Sequence, residues 1–226
     1  FNALWAERQR YYREIFFPGA GIPQPLNDQL MVFYQQVADT YRGVPAHRVS
    51  TFSAGESINL GPAGWRVLHT PGHASMLTCF YQAESRQLLA SDMLLQRTPT
   101  PVMETPPAGG QRIPALPLFI ESLTQIEALS IDKVYPGHGD QFEDAAGLIR
   151  RQRQRIDRRK EQCYRFVAEG TETALHLMFR MYPGSKERPN LAGLWMLIGY
   201  LDILIAERRV VVDDDAGVWR YRVTGP

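Results

Sequence analysis

The chain has 226 residues, of which 44% are hydrophobic and 22% are charged, and its formal net charge is +1. This composition is typical of a globular protein and excludes collagen-like, coiled-coil and largely disordered chains. Because the net charge is near zero, overall electrostatics identify neither nucleic acid nor an anionic membrane as a partner.

Two further features bear on the compartment. The longest apolar run, Leu194 to Ala206, is too short for a membrane-spanning helix. The two cysteines, Cys79 and Cys163, are too few for a disulfide framework or a thiolate zinc cluster, and we expect both to be buried among apolar residues. Such cysteine usage fits a reducing environment, so a cytoplasmic protein is expected.

The first half of the chain changes from a helical to a β-prone pattern. Apolar spacing predicts one helix ending before Pro18 and a second from about Leu26 to Tyr41. Short β-prone runs separated by turns, between Thr51 and Leu94, predict a strand meander. The proline-rich residues 96–117 predict a long irregular loop.

Helices dominate the second half. The pattern predicts a helix over 119–129 and a strand over 131–135. A long helix to about Ala168 follows, with Asp140 as its cap.

The end of the chain is predicted to hold two more helices and a hairpin. Thr171 is the expected cap of the first of these helices, and the hairpin covers about 210–223. We place a domain boundary between the α/β portion, 1–145, and a helical portion with a hairpin, 146–226.

Three predicted strands end in potential metal ligands. His69-Thr70-Pro71-Gly72-His73 follows one strand, and its proline and glycine indicate a turn instead of a helix. Asp92 follows a second strand, and His138 follows a third within Pro136-Gly137-His138-Gly139. Because neighbouring strand ends lie close together in space, we expect these side chains to meet at one sheet edge. Imidazole and carboxylate are ligands that Zn²⁺, Mn²⁺ and Fe²⁺ accept.

At these motifs the chain resembles the metallo-β-lactamase superfamily of binuclear metallohydrolases. Ser91-Asp92 stands where that family more often has Gly-Asp. The resemblance implies that His73 binds a first metal, that Asp92 bridges both metals, and that His138 binds the second. It gives His69 a supporting or packing role.

The resemblance also implies a fold and an activity. The fold is an α/β, αββα sandwich of the metallo-β-lactamase type, incomplete at its N-terminus, followed by a small winged-helix-like domain. The activity is that of a hydrolase in which a hydroxide bridging two Zn²⁺ ions, or Mn²⁺ or Fe²⁺ ions, cleaves an ester, thioester or lactone-like bond.

The family's His-x-His-x-Asp-His motif, which supplies four further ligands, does not occur in the chain. His47 and His176 have no partner histidine and are interpreted as structural. Since the family places that motif upstream and Phe1 is not Met, the simplest interpretation is that the first βαβ portion was lost or lies outside this segment. A degenerate member without metal is the alternative. Each ion would keep two ligands here, which predicts weak or absent metal binding by this chain alone.

One strongly basic tract leaves a second functional class open. A solvated helix surface is the preferred interpretation, and a contact to nucleic-acid phosphates is the weaker one. The tract contains Arg150, Arg151, Arg153, Arg155, Arg158 and Arg159.

The alternatives to an ester hydrolase are a metal-dependent endoribonuclease or nucleic-acid-binding member, and a catalytically inactive fragment. The expected partners are a small ester-like substrate and a second copy of the chain, with no membrane.

Overall fold

A computed structural model describes residues 2–41, 43–103, 112–185 and 190–225. The helices are α1 (Asn2–Tyr11), α2 (Phe17–Gly19), α3 (Gln24–Thr40), α4 (Ala115–Glu127), α5 (Ala145–Ala168), α6 (Ala174–Met181) and α7 (Leu191–Ala206). The strands are β1 (Ser57–Leu60), β2 (Ala63–His69), β3 (Thr78–Gln82), β4 (Gln87–Ser91), β5 (Lys133–Pro136), β6 (Val210–Asp215) and β7 (Val218–Val223). A π-helical turn, Tyr12–Phe16, joins α1 to α2.

The chain divides into two compact units. The sheet unit comprises Thr51–Glu104 and Pro114–Glu161, and the helical unit comprises Phe1–Ser50, Thr105–Ile113 and Gln162–Pro226. The helical unit therefore combines both ends of the chain, and α5 runs from one unit into the other. The boundary between residues 145 and 146 stays a prediction.

The sheet unit contains five strands in the order β1-β2-β3-β4-β5. Pairing is antiparallel from β1 to β4, whereas β4 and β5 are parallel. Strands β2, β4 and β5 therefore run in the same direction, and their C-terminal ends lie at the same edge. The motifs that follow these three strands are brought to that edge by the topology alone.

Helix α4 connects the parallel pair β4 and β5, as a crossover between parallel strands requires. Its large buried side chains, Leu116, Phe119, Leu123 and Ile126, recur every three or four positions and form one apolar stripe. The predicted loop before α4 is described only over 96–103 and 112–114, and its centre lies outside the described residues.

The helical unit is built around aromatic side chains of both chain ends. The Tyr12 ring stacks on Tyr34 with 5.0 Å between centroids and on Phe17 with 5.4 Å. Phe16 packs edge-on against Trp219 of β7, at 6.1 Å. These contacts attach the first helices to the C-terminal hairpin within one unit.

Two predicted caps are wrong, and each moves by a few residues. Helix α5 begins at Ala145, where the Asp144 Oδ1 accepts from the Gly147 amide at 2.8 Å. Asp140 instead forms an ion pair with Arg97. Hydrogen bonds from Arg151 and from the Gly147 amide lower the pKa of Asp144. Thr173, and not Thr171, accepts from the third residue of α6.

The mixed α/β class is confirmed by the five-stranded sheet and its helices. Within the described ranges there is one such sheet, together with the two-stranded hairpin β6–β7. Across the same ranges, no helix combines the length and the apolar character that crossing a bilayer would need.

Both cysteine thiols are expected to resist modification in the folded protein. Cys79 and Cys163 are free, fully buried, and burial raises the pKa of each thiol to about 12. At pH 8 the thiolate fraction is then about 10³-fold lower than in free cysteine, so reaction with a disulfide reagent should slow at least as much. With a nitrobenzoate disulfide as the reagent, the absorbance of the released thionitrobenzoate measures the rate of thiol modification. The urea-unfolded chain is the control, and rapid labelling of either folded thiol would contradict the expectation.

Candidate metal centre

Three predicted ligands meet at the edge where β2, β4 and β5 end. His73 lies in the loop after β2, Asp92 directly follows β4, and His138 follows β5. The Nε2 atom of His73 lies 3.4 Å from Asp92 Oδ2, and the Nε2 atom of His138 lies 3.5 Å from Asp92 Oδ1. Each carboxylate oxygen therefore faces a different imidazole.

These distances are longer than hydrogen bonds, which span about 2.7–3.2 Å. Two ligand atoms held at about 2.1 Å by a tetrahedral ion lie roughly 3.4 Å apart. The spacing between Asp92 and each histidine thus matches neighbouring ligands of a common ion better than a direct hydrogen bond. The two oxygens face different histidines, which is the arrangement that the predicted bridging role of Asp92 requires.

A backbone carbonyl orients one of the histidines. The Nδ1 atom of His73 lies 2.7 Å from the carbonyl oxygen of Pro101, so Nδ1–H donates to that oxygen. This bond leaves the Nε2 lone pair directed at Asp92 and available to a metal. The side chain of His73 is 18% exposed and that of Asp92 is 24%, whereas His138 is 78% exposed. The site is therefore open on the side of His138.

Asp92 is held by an unusual turn. Ser91 has φ +46°, in the left-handed region that favours glycine, which gives a physical reason for the Gly-Asp that the family more often carries. The Ser91 carbonyl accepts from the Gly137 amide at 2.7 Å, and the Asp92 carbonyl accepts from the Thr100 hydroxyl at 2.8 Å. These bonds link the β4 end to the β5 end and to the following loop.

A Gly137→Ala substitution should move Asp92. A Cβ at residue 137 would lie 2.5 Å from Asp92 Oδ1 and 3.1 Å from the carbonyl carbon of Ser91. We expect a loss of about 10–100-fold in metal affinity, comparable to losing a group that orients a ligand. Equilibrium dialysis of the whole protein against Zn²⁺ measures it. Gly64→Ala, whose Cβ meets nothing closer than 3.9 Å, is the control, and equal affinities would contradict this geometry.

His69 lies outside the cluster of ligands. Its Nε2 atom lies 2.9 Å from the carbonyl oxygen of Ser75, so the ring closes the loop that carries His73. On the other side of this loop, the Ser122 hydroxyl of α4 donates to the Pro71 carbonyl at 2.8 Å. The motif is thus fixed from two sides, and the supporting role of His69 stays a prediction.

The six candidate arginines of α5 do not act as one surface. Arg151 pairs with Asp144, and Arg153 pairs with Glu127 and donates to Thr124. Arg151, Arg155 and Arg158 line a common groove, whereas Arg150 does not. The remaining member, Arg159, is half-buried. The basic tract therefore contains a subset, Arg151, Arg155 and Arg158, that shares one face of α5.

The residues of the candidate centre fit a binuclear site in kind and spacing, but not in number. Within the described ranges, no group of three or more His, Cys, Asp or Glu side chains is arranged to hold one ion. His73 with Asp92, and Asp92 with His138, supply two donors to each of two positions, fewer than the three or four of a stable zinc site. His47 and His176, both exposed, do not add to the cluster.

Sequence reasoning identified the three candidate side chains but missed the groups that position them. The Pro101 carbonyl and the Thr100 hydroxyl lie in the irregular loop and left no pattern in the sequence. The glycine in Pro136-Gly137-His138-Gly139 was visible, but its contact with Asp92 required the structure.

Comparison with known proteins gives consistent matches. The family model described as the metallo-beta-lactamase superfamily matches residues 4–138. The probable metallo-hydrolase YqjP of Bacillus subtilis (strain 168) is 30% identical over 151 residues, which are 66% of this chain and 47% of that protein. An atrochrysone carboxyl ACP thioesterase of Paecilomyces divaricatus is 25% identical over 123 residues, 54% of this chain and 36% of that protein.

One solved structure extends the likeness over nearly the whole chain. A metallo-beta-lactamase family protein from Thermus thermophilus superposes with a TM-score of 0.74 at 22% identity, over 96% of this chain and 68% of that one. At this identity the likeness is one of fold. The aligned part of this chain spans less than half the length of the two curated relatives described above.

Proposed function

Because the chain belongs to the metallo-β-lactamase superfamily, we propose that it supplies part of the metal centre of a hydrolase that cleaves an ester, thioester or lactone-like bond. The observation that carries the proposal is the position of Asp92, with one carboxylate oxygen toward His73 and the other toward His138. When bound, two divalent ions would supply an activated water and polarise the bond to be cleaved.

The chain's own residues would hold and orient this centre. The Asp92 carboxylate would set the separation of the ions, and the two Nε2 atoms would each bind one. The hydrogen bond from His73 Nδ1–H to the Pro101 carbonyl fixes the ring in the tautomer that can bind metal. Because His138 is 78% exposed, substrate can approach from its side.

The description of one relative supports a thioester as the bond that the proposed hydrolase cleaves. A protein that is 25% identical over 123 residues is described as an acyl-carrier-protein thioesterase. A thioester is therefore the first substrate class to try. The four ligands of the His-x-His-x-Asp-His motif are absent from this sequence, so we propose weak metal binding when the chain is alone.

The remaining parts of the proposal concern the fold and its partners. The sheet unit would form half of an αββα sandwich, and α6, α7 and the β6–β7 hairpin would form the winged-helix-like portion. A cytoplasmic location and a homodimer are proposed on the cysteine usage and on the incomplete sandwich, respectively.

Hydrolysis by the whole protein tests the activity. The substrates are a short-chain acyl thioester, a nitrophenyl ester and a single-stranded RNA, each with added Zn²⁺ or Mn²⁺ and each repeated with excess chelator. Chelator-sensitive cleavage of the thioester or ester, with no cleavage of RNA, is the expected result. Cleavage of RNA alone would support the endoribonuclease alternative, and no metal-dependent cleavage of any substrate would reject the proposal.

A further inference from the structure

A groove of about 380 Å³ lies in the sheet unit between α5 and the segment that follows Asp92. On the helix side its lining includes Leu148, Arg151, Gln152, Arg155 and Arg158. These positions recur at intervals of three or four residues or their sums, so they share one face of α5. Arg97 contributes from the opposite wall.

The groove is strongly cationic. Arg97 pairs with Asp140 at 2.9 Å, and Arg151 pairs with Asp144 at 3.1 Å. Arg155 and Arg158 form no ion pair or hydrogen bond with any residue that the structure describes, and no carboxylate from those residues lines the groove. Among the described residues, these two guanidinium groups therefore have no counter-ion.

A buried amide in the groove also has no partner. Gln152 is 9% exposed, and neither its Nε2 nor its Oε1 atom has a hydrogen-bond partner among the described residues. Native structures pair nearly all such buried groups, so the unpaired amide in the wall of the groove leaves a place for a further polar partner. This observation is independent of the arginine charges and points to the same place.

We propose that this groove binds the phosphate group of a small molecule. The planar fork of arginine matches phosphate oxygens with two parallel hydrogen bonds, and Arg155 with Arg158 supplies two such forks. Gln152 lies in the same wall, and a rotation of its side chain into the groove would bring its amide donor to the same oxygens. The volume is that of a small-molecule pocket, and it favours such a ligand over a nucleic-acid strand, which needs an extended charged surface.

The position of the groove suggests which molecule carries the phosphate. Its wall follows Asp92 in the chain, and the Asp140 partner of Arg97 comes two residues after His138. A substrate whose leaving alcohol or thiol bears a phosphate is therefore the first ligand class to test, a step that rests on the proposed function.

Calorimetric titration of the whole protein with inorganic pyrophosphate, in the presence of excess chelator, tests the groove without the metal centre. We expect the Arg155→Gln and Arg158→Gln double variant to lower the affinity by about 10-fold or more. Arg150→Gln, an exposed arginine of α5 outside the groove, should bind as the unchanged protein does. Equal affinities of the double variant and the unchanged protein would overturn the proposal, whether or not the protein hydrolyses esters.

Two further measurements test the role of Gln152 and distinguish a small-molecule groove from a nucleic-acid surface. Gln152→Leu should weaken pyrophosphate binding and raise the melting temperature, because it removes two unpaired polar atoms. An unchanged affinity in this variant would overturn the role of the amide. In a titration with short single-stranded RNA, an equal loss of affinity in Arg150→Gln and Arg158→Gln would indicate a polyanion surface on α5 and would reject the groove.

Discussion

Gly72→Ala is expected to lower the free energy of unfolding by about 2–5 kcal/mol. A Cβ at residue 72 would lie 2.5 Å from the Cβ, 2.6 Å from the Cα and 2.8 Å from the backbone nitrogen of Phe119. Phe119 is buried within α4, so its backbone cannot retreat without breaking helical hydrogen bonds. The φ of Gly72, +138°, adds backbone strain for any residue with a side chain.

Urea unfolding followed by circular dichroism measures this loss, and a protein of this size should also melt about 5–15 °C lower. Gly64→Ala is the matched control in the same unit, because its Cβ meets only Asn59 Oδ1, at 3.9 Å. We expect it to change the free energy of unfolding by less than about 1 kcal/mol. A Gly72→Ala protein as stable as the control would contradict the close approach of the His73 loop to α4.

Asp92→Asn is expected to lower kcat/KM for metal-dependent thioester hydrolysis by about 10³-fold or more, equivalent to about 4 kcal/mol. The amide keeps the shape of the side chain but removes the negative charge and one acceptor oxygen. Because the Thr100 hydroxyl bonds the backbone carbonyl of Asp92, the main chain at this position should stay in place. The loss would therefore report on the carboxylate itself.

Steady-state kinetics of the whole protein at saturating metal measures this loss. Asp132→Asn removes an exposed carboxylate of the sheet unit that pairs with Arg86, and it is expected to leave kcat/KM unchanged. Melting curves of both variants check that they fold. An Asp92→Asn protein that keeps more than about a tenth of the activity would contradict a bridging role for this carboxylate.

The helices, the strands and the cluster of candidate ligands could be predicted from local patterns. Apolar periodicity located α3 and α4, and β-prone runs located β1 to β4 within a few residues. The convergence of His73, Asp92 and His138 followed from strand ends that share one edge. Such features depend on neighbouring residues or on simple topology, which the sequence displays directly.

Other features depended on contacts between distant segments. The sequence analysis placed the cap of α5 at Asp140, whereas Asp144 is the residue whose side chain caps the helix. Asp140 instead pairs with Arg97, which lies 43 residues away in the chain. The common face of Arg151, Arg155 and Arg158 is visible in the helical spacing, but the opposing wall of the groove comes from another part of the chain. Likewise, no local pattern indicates that Ser91 adopts a positive φ.

Metal content of the whole protein is the most direct test of the candidate centre. After equilibration with Zn²⁺ and removal of free ion, plasma mass spectrometry should find less metal in His73→Ala, Asp92→Ala and His138→Ala than in the unchanged protein. His69→Ala and His176→Ala should retain the metal of the unchanged protein. Full metal content in the first three variants would show that these side chains do not share an ion, and the account would be wrong.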